Sequence, residues 1–388
     1  MKRIYIYVIT AFALLAGACS DNNLNDDAPV VPATPDIVIP EGAAEGELLI
    51  KFVPEMTEIL DRTMKTRAAG ASTRSGIPST DEVLSILGAY DFERVFPVDS
   101  RTEEKSREAG LHLWYLVRFD KNTDLKEAME RLSGLGEISK LQINPAIQRA
   151  YNPKKKPVPV SEAALNRMRT RAAADNGFKF NDALLPHQWG YINRGAYDFA
   201  TEKAPAIVGS DVNCEEAWEL CTGDPEIIVA VLDEGVMYTH EDLTANMWVN
   251  EKEQVGSDQD NDGNGYKGDR YGYNFVKDNG NISWQAAEDT GHGTHVAGTI
   301  AAVNGNNIGV CGIAGGDGTK KGVRIMSCQV FDGDGQVRMV NEARAIKYAA
   351  DNGAVILQCS WGYNSAYSNP MQGYIPGPAT DEEWAKSY

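Results

Sequence analysis

The stretch IIVAVLDEG, from Ile227 to Gly235, decides the fold of the larger part of this chain. Its first six residues are all apolar, which is typical of a parallel strand that is buried on both faces of a sheet. The run ends abruptly at Asp233. Polar side chains that follow such strands meet at the carboxyl edge of the sheet, where ligands bind. We therefore expect Asp233 to belong to a functional site.

Further strands and helices alternate along the rest of the chain. Residues 323–331 are predicted to be a second buried strand, and residues 354–358 are predicted to be a further strand. Residues 337–352 have the periodicity of an amphipathic helix, and this helix is predicted to stop at Gly353. The alternation predicts an α/β domain with a parallel sheet.

The composition limits the partners of the protein. The chain has 388 residues, with 37 basic and 55 acidic side chains and a net charge of -18. Nucleic-acid binding needs a cationic surface, so we expect no nucleic-acid partner. At about 150 residues per domain, the length predicts two or three domains.

The N-terminus has the features of an export signal. Lys2 and Arg3 precede an apolar run from Ile4 to Ala16, which is too short to span a bilayer of about 30 Å. Cys19 directly follows the small residues 16–18, and this arrangement resembles a bacterial lipoprotein signal. We expect a signal peptide at 1–18, lipidation of Cys19 and a polar tether at 19–44. This places the protein at the envelope or surface of a bacterium, attached to the membrane through lipid; plain secretion is the alternative.

Three further segments follow the tether. Residues 45–151 are predicted to form a small α+β domain of ferredoxin-like layout, with strands at 48–53, 113–119 and 138–143. Its helices are predicted to follow the capping residues Thr80 and Asp124. Residues 152–180 form a basic linker, and residues 181–388 form the acidic α/β domain.

A second motif carries the chemistry. Residues 291–302 read GHGTHVAGTIAA and, together with Asp233-Glu234-Gly235, strongly resemble the subtilisin-like serine proteases. In acyl transfer an imidazole accepts the serine proton, and a buried carboxylate orients that imidazole. The resemblance makes His292 the general base and Asp233 its orienting partner. Glu234 stands where the family most often has Thr or Ser.

The resemblance covers about residues 181–388 and implies a serine endopeptidase that hydrolyses peptide bonds in extended substrates. Two segments would flank the substrate as neighbouring strands, although glycine turns are an alternative explanation of both. They comprise Gly333, Asp334 and Gly335 on one side and Ser360, Trp361 and Gly362 on the other. The resemblance also implies that residues 45–151 are a propeptide, which serves as folding chaperone and inhibitor and is cleaved off in the linker.

The nucleophile of the family does not occur in this sequence. None of the serines after His292 lies in a Gly-Thr-Ser-Met-Ala type motif, and the oxyanion-hole Asn is also missing. We expect the subtilisin-like domain to be incomplete and the 388-residue chain alone to be inactive, as part of a longer gene product. The alternative is a non-catalytic surface lipoprotein that binds peptides and calcium on a protease scaffold.

An acidic loop predicts a calcium site. Residues 258–269 read DQDNDGNGYKGD and fit the calcium-loop template at positions 1, 3, 5, 6 and 12. The candidate ligands are Asp258, Asp260, Asp262, Asn264 and Asp269. A solvated acidic loop is the alternative.

The sequence offers two further candidate metal sites. The family resemblance alone implies a second calcium site at Asp242 and Asn306, with the carbonyls of Ile308 and Val310. His292 and His295 are spaced so that they could share a zinc ion, but the glutamate of an HExxH motif is absent.

Overall fold

The computed structural model describes most of the two predicted domains. The described residues are 37, 39, 43–66, 73–149, 161, 163, 164, 166, 177–195, 205–285, 289–333, 337–362 and 374–375. The predicted signal peptide, Cys19 and most of the linker lie outside them. All described residues belong to one compact unit, Ile37–Tyr388.

The N-terminal part is built on an antiparallel sheet with the strand order β11-β4-β1-β3-β2. Four of its strands come from the N-terminal part: β1 (Ala43–Phe52), β2 (Asp91–Arg94), β3 (Trp114–Arg118) and β4 (Ile138–Pro145). The fifth, β11 (Tyr374–Ile375), comes from the last segment of the chain. Its helices are α1 (Thr57–Thr66), α2 (Pro78–Ile86), α3 (Glu103–Glu108) and α4 (Leu125–Ser133), with short 3-10 turns at Pro54–Met56 and Leu111–Leu113. Phe52, Phe92 and Tyr115 form the aromatic centre of its core.

The two predicted helix caps have different outcomes. The Asp124 side chain accepts a hydrogen bond from the Glu127 amide at 2.9 Å, so that cap is confirmed. The cap predicted at Thr80 is wrong, because α2 already begins at Pro78. Proline suits a first helical turn because that turn leaves its N–H groups unpaired. The Thr80 hydroxyl instead donates to Glu137 at 2.8 Å.

The larger part contains the predicted parallel sheet, in the order β7-β8-β6-β9. Its strands are β6 (Ile228–Glu234), β7 (Gly272–Asn274), β8 (Arg324–Phe331) and β9 (Ile356–Cys359). The helices are α5 (Cys214–Leu220), α6 (His292–Ala301) and α7 (Met339–Asp351), with 3-10 turns at Leu185–His187 and Thr244–Asn246. All seven residues of β6 are buried, as the apolar run predicts.

The two parts share an apolar interface. Helix α7 contributes Val340, which is buried against Leu49, Trp114 and Leu116 of the antiparallel sheet and against Val95 and Phe96. Arg344 on the same helix donates a hydrogen bond to the Val95 carbonyl at 2.7 Å. The N-terminal part therefore packs against helix α7.

Strand β9 forms one edge of the parallel sheet and pairs with no further strand among the described residues. Ile356 and Leu357 of β9 are 50% and 37% exposed, although parallel strands are ordinarily covered on both faces. Within the described part of the chain, no helix has the length and apolar character needed to cross a membrane.

Candidate active site

The Asp233 and His292 side chains meet at the carboxyl end of β6. The His292 Nδ1 atom lies 2.9 Å from both carboxylate oxygens of Asp233. Helix α6 begins at His292, and Gly293 allows it to approach β6 closely, because a Cβ atom there would lie 2.1 Å from the Glu234 carbonyl oxygen. The second glycine of the GHG motif thus allows the close approach of His292 to Asp233.

The environment of the two side chains differs. Asp233 is fully buried, and burial raises its pKa above the ordinary value, against the opposing effect of the hydrogen bond with His292. The His292 side chain is 24% exposed. A buried carboxylate that holds Nδ1 leaves Nε2 of the imidazole for proton transfer with a reacting group.

Glu234 is a fully buried carboxylate beside this pair, and its role was not predicted from the sequence. Its Oε2 atom accepts hydrogen bonds from the backbone amides of Thr290 and His292 at 2.9 and 3.1 Å. These amides lie at the N-terminus of α6, where a negative charge is stabilised. Glu234 therefore anchors the start of the helix that carries His292.

A strand from the N-terminal part occupies the cleft next to this site. Strand β5 (Gln148–Arg149) pairs antiparallel with β10 (Trp361–Gly362). On its other side, the Ile147 amide donates to the Val337 carbonyl at 3.1 Å, and Arg149 donates to the Gly333 carbonyl at 2.9 Å. Residues 147–149 are thus held between the two segments expected to flank a substrate.

The predicted substrate-binding residues have separate outcomes. Gly333, Trp361 and Gly362 contact the inserted strand, while the described contact of the Ser360 hydroxyl is with Gln358. Asp334 and Gly335 lie outside the described residues. The main-chain pairing seen here is the way extended peptides are held at a sheet edge.

A cavity of about 1030 Å³ opens on the exposed side of His292. Its lining includes Trp189, Tyr191, Met237 and Trp284. The cavity is large enough for several side chains of a peptide.

The acidic loop assembles a different set of carboxylates from the predicted one. Oxygens of Glu253, Asp262 and Asp269 lie within 4.8 Å of one another, and Glu253 and Asp269 are fully buried. Burial and the neighbouring carboxylates raise the pKa of Asp269 to about 6. Three clustered carboxylate oxygens are ligands suited to Ca²⁺, so these residues fit a calcium ion.

The remaining predicted ligands of this loop lie outside that cluster. Asp258 is exposed, and Asp260 accepts hydrogen bonds from the amides of residues 263–265. Asn264 donates to Asp269 at 2.9 Å. Glu253 was not predicted because it precedes the twelve-residue template. The only sequence signal for it is its position five residues before Asp258.

At the second predicted calcium site, the side chains of Asp242 and Asn306 are in contact. Asn306 donates to Asp242 at 2.8 Å, and burial raises the pKa of Asp242. Asp182, which the sequence analysis missed, has a buried Oδ1 atom without a hydrogen-bond partner among the described residues, and its pKa is also raised by burial. A buried acceptor of this kind fits a cation beside Asp242. The zinc interpretation finds no support, because Nδ1 of His292 is engaged with Asp233 and His295 is exposed.

Comparisons with known proteins find relatives of this chain. Subtilisin-like protease 1 of Plasmodium vivax is 33% identical over 54% of this chain and 30% of its own length. Halolysin-like extracellular serine protease Nep of Natrialba magadii is 33% identical over 39% of this chain and 23% of its own length. The chain therefore spans less than a third of each of these relatives.

A similar solved structure is that of fervidolysin from Fervidobacterium pennivorans, a keratinolytic enzyme related to subtilisin. It has a TM-score of 0.44 and 19% identity, over 85% of this chain and 38% of that one. The model of the subtilase family matches residues 224–383, a range that contains Asp233, His292 and both cleft segments. This part of the chain is therefore similar to the subtilase family.

Proposed function

We propose that this chain is part of a serine endopeptidase that hydrolyses peptide bonds in extended substrates. The observation that carries the proposal is the contact of His292 Nδ1 with both oxygens of buried Asp233 at 2.9 Å. With Nδ1 held by Asp233, His292 Nε2 accepts the serine proton during attack and returns it to the leaving amine.

The nucleophilic serine and the oxyanion-hole asparagine are proposed to come from a part of the protein beyond these 388 residues. The exposed apolar side chains of β9 support this proposal, because the faces of a parallel sheet are ordinarily covered by helices, which a further part of the domain would supply. The chain covers only 30% and 23% of the length of two relatives, which agrees with a nucleophile supplied by a further part of the protein.

Residues 45–151 are proposed to act as a propeptide that blocks the cleft of its own protease. Strand β5 supports this role, since it pairs with Trp361 and Gly362 where a substrate would bind. Calcium ions are proposed to stabilise the fold through the carboxylates of Glu253, Asp262 and Asp269 and through those of Asp182 and Asp242. The protein is further proposed to be exported and lipidated at Cys19. A Cys19→Ser variant that still partitions into membranes would contradict the lipid anchor.

Hydrolysis by the protein from the complete reading frame tests the proposed activity. A set of internally quenched peptides is incubated with the wild type and with His292→Ala, and the cut bonds are identified by mass spectrometry. We expect the wild type to cut and His292→Ala to lose nearly all activity, because no base then accepts the serine proton. A folded wild type that cuts nothing would contradict the proposal and favour a peptide-binding lipoprotein.

A further inference from the structure

An apolar cavity of about 550 Å³ lies between helix α3 of the N-terminal part and helix α7 of the larger part. Its lining includes Leu49, Trp114 and Val340, which are almost completely buried. The lining residues of α7 run from Met339 to Asp351, so the cavity extends about 18 Å along this helix. The volume divided by this length gives a mean cross-section of about 30 Å². The cavity therefore suits a narrow, elongated ligand.

The lining offers a ligand few hydrogen-bond partners, because the backbone groups of α3 and α7 are bonded mainly within each helix. The Ser106 hydroxyl donates to the Thr102 carbonyl at 3.1 Å. An extended peptide would here lose its hydrogen bonds to water without replacing them, which costs free energy. A helix, with a diameter of about 10–12 Å, is too wide for a cross-section of about 30 Å². An acyl chain has neither of these disadvantages.

One charged residue of the lining has no partner among the described residues. Lys105 is exposed on α3, and its Nζ atom forms no ion pair or hydrogen bond within the described part of the chain. The other charged residues of the lining are engaged, since Lys347 pairs with Asp351 and Glu342 has a contact within the fold. Lys105 can therefore hold the anionic group of a ligand on the solvent side of the cavity.

We propose that this cavity binds a free fatty acid, with the acyl chain along α7 and the carboxylate at Lys105. A methylene group is about as large as a water molecule, whose share of liquid volume is about 30 Å³. The cavity thus holds one chain of about 12–16 carbons and is too small for a lipid with two such chains. The inference does not rest on the proposed hydrolysis, because neither Asp233 nor His292 lines the cavity.

The two walls of the cavity belong to different parts of the molecule. Ala109 and Leu111 come from the N-terminal part, whereas Ala343 and Ile346 come from α7. A ligand held between them binds only while the two parts are docked, and it stabilises the docked arrangement by mass action. The fatty acid would therefore help to retain the N-terminal part on the larger part.

Isothermal titration calorimetry with two soluble amphiphiles tests the site. Dodecanoate and dodecyltrimethylammonium have the same chain length and opposite head-group charges, and both are used below the concentrations at which they form micelles. The protein from the complete reading frame carries His292→Ala, so that its two parts stay in one chain. Ala343→Leu and Ala109→Leu each narrow the cavity from one wall, and Lys105→Gln removes the cation. Lys126→Gln, at an exposed lysine that does not line the cavity, is the matched control.

We expect dodecanoate to bind at least about tenfold more tightly than dodecyltrimethylammonium. Lys105→Gln should weaken the binding of dodecanoate by about threefold or more, because the carboxylate loses its charge partner, and Lys126→Gln should leave it unchanged. Each leucine variant should raise the Kd of dodecanoate about tenfold or more, since the added side chain takes the space of the acyl chain. The two leucine variants act from opposite walls, so one of them decides the test if the other does not fold. Equal affinities for the two amphiphiles, no binding of dodecanoate by the folded protein, or a Kd that neither leucine variant changes would overturn the inference.

Thermal unfolding is a second readout of the same site. Because dodecanoate binds only the folded and docked protein, it should raise Tm of the His292→Ala protein and raise it less after Ala343→Leu. A rise that is equal with and without Ala343→Leu would show that dodecanoate binds elsewhere, and the proposed site would then be wrong.

Discussion

Asp233 and His292 depend on their surroundings in different ways. Burial of Asp233 raises the free energy of its charged form, and the contact with His292 offsets only part of this increase. The backbone of His292 is fixed separately, by Glu234. The side chain and the main chain of the base therefore have different carboxylate partners.

Asp233→Asn tests the first of these partnerships. An amide can hold the imidazole in the wrong tautomer, so kcat of the protein from the complete reading frame should fall about 10,000-fold. Peptide hydrolysis under saturating substrate measures the effect. Asp317→Asn, which removes an exposed carboxylate, is the control and should keep wild-type kcat. Comparable activity of Asp233→Asn and the control would refute the assigned role.

We expect the buried side chain of His112 to make the stability of the N-terminal part depend on pH. It is 9% exposed, and burial together with Arg107 and Arg94 lowers its pKa from 6.5. The folded state therefore favours the neutral imidazole, and this stabilisation, present above pH 6.5, is lost as the pH falls through the lowered pKa. Urea unfolding at pH 7.5 and pH 5 should show a smaller loss of stability in His112→Gln than in the wild type. His187→Gln, at an exposed histidine, should behave as the wild type does; identical pH profiles for all three proteins would contradict the prediction.

Helix α7 links the two parts of the molecule. One face packs on the parallel sheet through Ala345 and Tyr348, while Val340 packs on the antiparallel sheet. Docking of the N-terminal part thus covers an apolar surface of the protease part. We expect this interface to decide how firmly β5 is held in the cleft.

Trp114→Ala tests the strength of that interface. Trp114 is 6% exposed within the shared cluster, and removal of a buried aromatic side chain costs about 3–5 kcal/mol. The free energy of unfolding should fall by this amount, and proteases should cut the N-terminal part more readily. Tyr90→Ala, at a side chain that is 53% exposed, should change stability by about 0.5 kcal/mol or less. Equal effects of the two substitutions would show that the cluster does not hold the parts together.

The loop between β6 and β7 predicts a dependence on calcium. If calcium binds Glu253, Asp262 and Asp269, an ion concentration 100 times the Kd adds about 2.7 kcal/mol to the free energy of unfolding. EDTA should therefore lower Tm in the wild type, and Glu253→Gln should reduce this effect. Glu251→Gln is the matched control, because the Glu251 side chain is 79% exposed. A Tm that EDTA leaves unchanged in the wild type would exclude stabilisation by calcium.

Local patterns predicted the elements that carry the catalytic pair. The apolar run before Asp233 and the glycines around His292 depend on burial and close packing, which short stretches of sequence encode directly. Glu253 was not predicted because it lies outside the twelve-residue calcium template. Arg149 was not predicted because its partners are brought near only by the folded chain. Arg149 and Glu234 are far apart in sequence, and the pairing of β5 with β10 brings them together.

At the scale of the whole molecule, the proposed protease is held by its own N-terminal part. Its catalytic pair lies at the end of the parallel sheet, and the cleft beside it holds a strand that precedes the protease part in the chain. A covalently attached strand has a high effective concentration, so it competes strongly with free peptides. Cleavage in the linker would remove this advantage.

The most direct test of the account is covalent labelling of the nucleophile with a fluorophosphonate probe. The protein from the complete reading frame is labelled as the wild type and as His292→Ala, and the modified residue is identified by mass spectrometry. The account predicts labelling of one serine in the wild type and almost none in His292→Ala, because the serine reacts only when His292 accepts its proton. A folded wild type that remains unlabelled, or labelling that is equal in His292→Ala, would contradict the assignment of Asp233 and His292 to a catalytic triad.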